Sequence, residues 1–134
     1  MKLAISTNNK KTISKDYFIQ CNYYMVFEIL NGEIVSEELR ENPYSDKNTL
    51  TNHERTNKIL DLLKDCTIFL GKQMEKESLD SIASKNIDII ITTKNNVKET
   101  IKFFLESIDE YFQYYNLKSK KFITCSERMM QQYQ

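Results

Sequence analysis

The chain has 134 residues, a length typical of one domain with its own hydrophobic core. Its 19 basic and 19 acidic residues cancel, so the sequence gives no overall electrostatic attraction to nucleic acid or to an anionic membrane. No apolar run approaches the roughly 20 residues of a membrane-spanning helix, and the apolar start is too short for a signal peptide. We therefore expect a cytoplasmic protein that binds neither nucleic acid nor membrane, as a monomer or weak homo-oligomer.

The first third of the chain predicts three strands. Lys2–Ser6 is an apolar run that favours a strand buried on both faces. Residues 12–21 hold too few apolar positions to fix a period, so we predict irregular structure that passes over the strand ends. Tyr23–Leu30 alternates between two faces as a strand does, and Asn31–Gly32 between two apolar runs is typical of a type I′ turn. Glu33–Arg40 should therefore fold back antiparallel as an edge strand, where its charged outer half discourages further pairing.

A break and a capped helix come next. Glu41–Pro43 ends the strand, because proline cannot donate a ladder hydrogen bond. Thr51 with Glu54 fits a capping box, in which each side chain accepts a backbone N–H from the other residue. Apolar residues at helical spacing extend the predicted helix from about Asn52 to Lys64.

The central part of the chain predicts a strand, a covering helix and a second strand. Thr67–Leu70 and Ile87–Thr92 are apolar runs rich in β-branched residues, which favour buried strands. Helical spacing divides the residues between them into two faces. The apolar face comprises Met74, Ser78, Leu79, Ile82 and Ala83, and the polar face comprises Glu75, Lys76, Glu77, Asp80 and Ser81. Two buried strands joined in this way form a parallel unit with a right-handed crossover.

A last helix and a tail complete the chain. Asn96, with Glu99 three residues later, is a second helix N-cap signal. An apolar stripe continues from it over several turns and should cover the sheet. The stripe comprises Val97, Ile101, Phe104, Leu105, Ile108 and Phe112. An aromatic cluster lies within Tyr111–Tyr115, and we expect the end of the chain to be loosely held.

Together these elements predict a three-layer α/β fold of the ribonuclease H-like type. Short, right-handed connections give a mixed five-stranded sheet in the order 3-2-1-4-5, numbered along the chain, with strand 3 antiparallel and helices on both faces. No repeat or linker interrupts the chain, so we predict one domain over residues 1–116 and a C-terminal tail over 117–134. Ligands of open α/β sheets bind beyond the carboxyl ends of the strands, which here are near Gly71–Gln73 and Thr93–Asn95.

Three cysteines could serve either packing or metal binding. Cys21, Cys66 and Cys125 are an odd number set far apart, which argues against a disulfide framework and favours reduced thiols. At least one should be a small core residue, because free cysteine is often buried. Alternatively, one or two of them, together with His53, could ligate iron or an iron cluster. His53 itself is either a surface residue of the first helix or a metal ligand.

The residues of three common reaction types are missing. Two-metal nuclease chemistry needs clustered carboxylates at the strand ends, whereas Asp88 is the only acid on the predicted central parallel strands. Two glycines in the whole chain leave no glycine-rich phosphate loop. Nucleophilic catalysis needs a base beside Ser or Cys, and the only imidazole, His53, falls in the first turn of a predicted helix. We therefore expect that the protein is not an enzyme.

Four segments together resemble a known family. Met1–Thr7, the box Tyr17–Tyr24 that leads into a strand, the Asn31–Glu33 turn and Glu41–Pro43 have the form and order of the dinitrogenase iron-molybdenum cofactor biosynthesis family, of the NifX and NifB carboxyl-terminal type. The similarity extends over Met1–Leu105. It implies a non-catalytic accessory or carrier protein of nitrogen fixation, which binds or transfers an iron-sulfur or iron-molybdenum type cluster or its precursor. Its partner would be a metallocluster donor or acceptor protein.

The family pattern is thinned in this chain. Three box positions that are His, Gly and Arg in the family are occupied here by Tyr17, Ile19 and Gln20. Cys21 keeps a soft ligand in the box, His53 is what remains of a His-rich stretch, and Gly71 is what remains of a glycine-rich loop. The resemblance therefore implies Cys21 and His53 as candidate metal ligands, with Gly71, Gln73 and Asn95 as further contacts around the cofactor.

A second hypothesis uses the same fold without any cofactor. The chain would then be a metal-free protein-interaction or regulatory module, which binds a partner protein through the hairpin edge or the aromatic cluster. A coherent exposed apolar patch around Tyr111–Tyr115 would favour this hypothesis over the carrier.

Overall fold

The computed structural model describes residues 1–45 and 49–131, and in this part of the chain a seven-stranded mixed sheet forms the centre of the molecule. The strands are β1 (Lys2–Thr7), β2 (Tyr23–Leu30), β3 (Glu33–Glu41), β4 (Ile68–Gly71), β5 (Asp88–Thr92), β6 (Phe112–Asn116) and β7 (Lys121–Thr124). The helices are α1 (Asn52–Leu62), α2 (Leu79–Ala83), α3 (Val97–Leu105) and α4 (Cys125–Gln131), with 3₁₀ turns at Phe18–Gln20, Lys76–Ser78 and Asp109–Tyr111. Within these residues no helix combines the length and the apolar character needed to cross a membrane.

The strands lie in the order β3-β2-β1-β4-β5-β6-β7. β1, β4 and β5 run parallel to one another, and the other neighbouring pairs are antiparallel. The predicted order 3-2-1-4-5 with an antiparallel strand 3 is therefore confirmed. The prediction of five strands is wrong, because β6 and β7 extend the sheet beyond β5. The ribonuclease H-like designation stays a prediction.

The two extra strands arise where the last helix was expected to continue. α3 ends in a Schellman motif, in which Ser107 adopts a left-handed φ of 57° and the N–H of Ile108 bonds to the Phe103 carbonyl at 3.0 Å. Phe112, predicted on the helical stripe, lies instead in β6 opposite Thr92 of β5. The chain turns after α3 and adds a hairpin to the sheet.

Much of the predicted tail packs onto this hairpin. β7 pairs with β6, and Arg128 of α4 donates to Asp88 Oδ1 at 3.0 Å while its guanidinium lies 4.5 Å from the centre of the Tyr114 ring. The rings of Tyr115 and Phe122 meet edge to face with their centroids 5.4 Å apart. The aromatic cluster is therefore part of the packing around β6, and Phe112 in it is buried. Residues 132–134 of the predicted tail lie outside the described residues.

Local signals in the sequence are borne out at the hairpin and at both helix caps. Asn31 and Gly32 have φ values of 54° and 77°, the left-handed conformation that a type I′ turn requires at both positions. Thr51 and Glu54 form the predicted capping box at the start of α1, and Asn96 caps α3 by accepting a backbone N–H. These contacts fix where each helix enters the fold.

Helices cover both faces of the sheet, as predicted. On the face that we call the α1 face, α1, α2 and the Phe18–Gln20 turn pack on the sheet, and on the opposite α3 face α3 does so. Residues buried on the α1 face include Ala4, Cys21, Tyr24, Val26, Ile59 and Phe69. Residues buried on the α3 face include Leu3, Ile5, Phe27, Leu70, Ile90 and Ile101. Alternation along each strand sends neighbouring side chains to opposite faces.

Candidate functional site

The loops that follow the three parallel strands β1, β4 and β5 meet beyond the carboxyl ends of these strands. The N–H of Ile13 donates to the Asn95 carbonyl at 2.7 Å, and the N–H of Phe18 donates to the Gln73 carbonyl at 2.9 Å. Lys72 Nζ donates to Asn95 Oδ1 and joins the second loop to the third. Asn95, Gln73 and the neighbouring Gly71 therefore lie at the carboxyl ends of the parallel strands, where α/β sheets bind ligands.

Gly71 is needed there for packing. A Cβ atom on Gly71 would lie 2.9 Å from Ser6 Oγ and 3.3 Å from a ring carbon of Phe18. A side chain at this position would force Ser6 Oγ to move and the Phe18 ring to shift by a few tenths of an ångström. The close approach that the resemblance associates with a cofactor is made here by the protein's own side chains.

An open cavity of about 420 Å³ lies beside these loops, and we call it the edge cavity. It is lined by Asn8, Asn9, Thr12, Ile13, Ser14, Lys15 and Asn95. Its first loop is shaped by local side-chain hydrogen bonds: Asn9 Oδ1 accepts the N–H of Lys11 and Thr12 at 2.9 and 2.8 Å, and Thr7 Oγ1 donates to the Thr12 carbonyl at 2.6 Å. The polar turn after the first strand was visible in the sequence, but its role as a cavity wall was not predicted.

The edge cavity presents amide, hydroxyl and ammonium groups. Among its described lining residues the only charged side chain is that of Lys15, which is exposed. The Lys15 carbonyl accepts Gln73 Nε2 at 2.9 Å, so the predicted contact Gln73 supports the loop that carries this charge. Asn8 Nδ2 already donates to Asp16 Oδ2 and Asn9 Nδ2 to Thr12 Oγ1, both at 2.9 Å, so the ammonium group of Lys15 is the lining group that best suits an anion.

Cys21 is placed in the interior, where its thiol is used by the fold. Its side chain is fully buried, and Sγ donates to the carbonyls of Phe18 at 3.4 Å and Tyr23 at 3.1 Å. Burial raises the pKa of Cys21 from 9.0 to about 12, so the thiol stays protonated at neutral pH. A metal ligand must be the thiolate. The folded protein therefore offers Cys21 poorly for coordination.

His53 is exposed in the first turn of α1, and its Nε2 atom lies 3.5 Å from Asn57 Nδ2. The structure shows no contact that would bring His53 together with Cys21. Across residues 1–45 and 49–131, no three His, Cys, Asp or Glu side chains are grouped so that they could hold a metal ion. Cys21 and His53 stay predictions as metal ligands.

A buried polar cluster behind the Phe18–Gln20 turn was not predicted. Glu75, expected on the polar face of a helix, precedes the 3₁₀ turn that leads into α2 and is only 4 % exposed. Its Oε1 atom has no hydrogen-bond partner among the described residues, and burial raises its pKa from 4.5 to about 7. Nearby, Tyr24 donates its hydroxyl to the Phe18 carbonyl at 2.7 Å.

Asn42 fastens the same turn from the other side. Its Nδ2 atom donates to the carbonyls of Ile19 at 3.2 Å and Cys21 at 2.7 Å, and its Oδ1 accepts the N–H of Tyr44 at 2.9 Å. The Asn-Pro element that contributed to the family resemblance therefore holds the box in place. The sequence signal was present, but the contacts span about twenty residues and needed the fold to be seen.

This fold defines a small α/β protein in which the loops after the parallel strands form a candidate ligand crevice. Residues 1–107 match the family model described as dinitrogenase iron-molybdenum cofactor, and the chain belongs to that family. The predicted family membership is confirmed. No curated protein was found to match the chain.

Solved structures of other proteins have the same fold. The crystal structure of a candidate dinitrogenase from Methanocaldococcus jannaschii is 24% identical with a TM-score of 0.60, over 80% of this chain and 89% of that one. The NMR structure of a candidate NifB protein from Thermotoga is 16% identical with a TM-score of 0.59, over 78% of this chain and 87% of that one. At these identities the similarity shows the fold alone.

Proposed function

We propose that the protein is a non-catalytic accessory protein in the biosynthesis of an iron-molybdenum or iron-sulfur type cofactor. Its cargo is a small anionic cluster or cluster precursor, received from a donor protein or passed to an acceptor protein. The cargo sits in the edge cavity and is held there by hydrogen bonds and by the charge of Lys15. Family membership supports the class of function, and the edge cavity is the observation that supports this mode of binding.

The edge cavity is favoured over Cys21 and His53 for a physical reason. Inner-sphere binding through Cys21 would require the thiol to lose its proton and to break its bonds to two backbone carbonyls inside the core. Amides, hydroxyls and one ammonium group are already in place at the surface. Such donors hold anionic sulfur clusters weakly and reversibly, which suits a protein that hands its cargo on.

The proposal is tested with tetrathiomolybdate, a small molybdenum-sulfur dianion, in titrations without oxygen followed by absorbance and calorimetry. Lys15→Glu should weaken binding at least tenfold, because the only charge among the described lining residues is reversed. Lys64 lies just before β4, at the amino ends of the parallel strands. Lys64→Glu is therefore the matched control and should change the affinity less than twofold.

The same titration separates the edge cavity from thiolate binding. Cys21→Ser should leave the affinity within twofold, with circular dichroism used to check that the variant is folded. Loss of binding in Cys21→Ser, together with a sulfur-to-metal absorbance band in the parent protein, would refute the edge cavity in favour of Cys21. Equal losses in the two lysine variants would show unspecific attraction of the anion and would refute it as well.

A metal-free interaction module is the second candidate. The observation that favours it is β3, whose side chains are exposed along the strand except for half-buried Arg40. The aromatic cluster supports it less, because Phe112 is buried and Tyr115 packs on Phe122. A protein that binds a partner but no cargo in the titration above would fit this second candidate.

A further inference from the structure

β3 is a long strand at the free edge of the sheet. It has nine residues and pairs with β2 on one side only. The backbone N–H and C=O groups on its outer side therefore face away from the sheet, as they do in any edge strand. Three of its apolar side chains are exposed as well, with Ile34 at 37 %, Val35 at 53 % and Leu39 at 37 %. An edge of this length can accept another strand.

The edge carries acidic charge. Glu33, Glu37 and Glu41 are exposed along β3. The one basic residue of the strand, Arg40, is held by Asp65, with Nη2 2.7 Å from Oδ2, and by Glu38, with Nε 2.7 Å from Oε1. These ion pairs compensate the charges of Arg40 and Glu38. Glu37 Oε1 lies 4.0 Å from Lys98 Nζ, whereas Glu33 and Glu41 form no ion pair among the described residues, so the strand keeps a net negative charge that would attract a basic segment.

A groove beside the strand adds an apolar contact. It has a volume of about 270 Å³ and lies between β3 and α3, with Ile34 on one wall and Ile101 and Leu105 on the other. Lys98 and Lys102 stand at its rim with Glu37 and Glu106, so the charges of the rim itself balance. A volume of this size accommodates one aliphatic side chain projecting from a strand laid along β3.

A second copy of the chain fits this edge poorly. In antiparallel pairing of two β3 strands centred on Glu37, the Glu37 side chains of the two copies would lie directly opposite each other. Like charges placed directly opposite each other on neighbouring strands are destabilising. The edge thus disfavours self-association while it stays open to a strand of opposite charge.

We propose that β3 is a docking edge for an extended, lysine- or arginine-rich segment of another protein. The segment adds an eighth strand to the sheet, places basic side chains against Glu37 and Glu41, and inserts one aliphatic side chain between Ile34 and Leu105 on the same face. The β3 edge and the edge cavity are separate surfaces, so the test of one proposal can fail while the test of the other succeeds.

The test uses two ten-residue peptides in which one valine has charged residues two positions away on either side, so that all three side chains share one face of the strand; the charged residues are lysines in one peptide and glutamates in the other. The lysine peptide should bind at least tenfold more tightly than the glutamate peptide when measured by fluorescence anisotropy at low salt. The triple variant Glu33→Lys, Glu37→Lys, Glu41→Lys should bind the lysine peptide at least tenfold more weakly. Glu110 is an exposed acid just before β6, which lies toward the opposite end of the sheet from β3. Glu110→Lys is the control and should change the affinity for the lysine peptide less than twofold. Thermal melts establish that each variant is folded.

Hydrogen exchange then locates the contact. Binding of the lysine peptide should slow exchange of amides within residues 33–41. Protection elsewhere, or an equal loss of affinity in the Glu110 control, would overturn the proposal. It would also fail if sedimentation showed a dimer of the free protein with protection along β3, because the edge would then be occupied by a second copy.

Discussion

The two faces of the sheet bury different kinds of side chain. The α3 face combines aliphatic and aromatic side chains, including fully buried Leu3, Ile5 and Leu70, with buried hydroxyls such as that of Thr100, which donates to the Asn96 carbonyl at 2.6 Å. The α1 face encloses ionisable groups, among them the Cys21 thiol and the Glu75 carboxyl. Burial of apolar surface on the α3 face stabilises the fold. Burial of polar groups on the α1 face costs part of that stability and holds the segment Tyr17–Tyr24 in a single conformation.

This difference predicts that removing the charge of a buried acid on the α1 face will act with the opposite sign to truncating an apolar side chain on the α3 face. Removing an apolar side chain from the α3 face should always destabilise the protein. Removing the charge of a buried acid from the α1 face should stabilise it over part of the pH range. Three variants test this, beginning with the one expected to have the largest effect.

Leu70→Ala should lower the free energy of unfolding by about 3 kcal/mol, because it leaves a cavity in a layer that is close-packed. Leu70 is fully buried in β4, whereas Leu39 on β3 is 37 % exposed. Leu39→Ala is therefore the matched control, with an expected loss below about 1 kcal/mol. Urea denaturation of both variants measures the difference. A loss of less than 1 kcal/mol for Leu70→Ala would mean that the α3 face can repack and is not the rigid layer described.

Glu75→Gln should stabilise the protein at pH 8 by about 2 kcal/mol. The pKa of Glu75 is raised from 4.5 to about 7 by burial, so the folded protein holds this proton more tightly than the unfolded chain does. The contribution is complete below pH 4.5 and is lost as the pH rises through about 7. Wild type and variant should therefore diverge across this window. Glu77→Gln, an exposed neighbour, should follow the wild type throughout.

A constant difference between wild type and Glu75→Gln from pH 4.5 to 8 would contradict this account. It would mean that the Glu75 carboxyl titrates at its ordinary pKa and that the α1 face encloses no uncompensated acid. The measurement is chemical denaturation at closely spaced pH values, since the effect lies in the pH dependence and not in stability at one pH.

The central sheet could be predicted because its signals are local. Runs of β-branched residues mark β5, the pair Asn31–Gly32 marks the hairpin, and Thr51 with Glu54 marks the start of α1. The strands β6 and β7 could not be predicted in the same way. Phe112 fits a helical stripe as well as a strand, and the end of α3 is set by Ser107, which adopts a left-handed conformation without being glycine.

The candidate site was predictable in place but not in chemistry. The rule that ligands bind after parallel strands located Gly71, Gln73 and Asn95 at one edge. The state of the Cys21 thiol depends on Phe18, Asn42 and the packing of the turn over the sheet, and these contacts cross long stretches of sequence. A residue type identifies a possible ligand, and only burial and hydrogen bonding decide whether its thiolate is available.

Of the three variants, Asp65→Asn should change the free energy of unfolding least. Hydrogen bonds from Arg40 and Lys2 hold the pKa of Asp65 well below its usual range, so its stabilisation is present above pH 3.8 and is lost as the pH falls, the reverse of Glu75. The ion pair lies at the surface and is screened, so we expect a loss of only about 0.5 kcal/mol at pH 7, and less in 1 M salt. Urea denaturation at both salt concentrations measures it. A loss above 2 kcal/mol that persists in salt would show that this pair behaves as a buried one, and the contrast between the rim and the interior of the α1 face would fail.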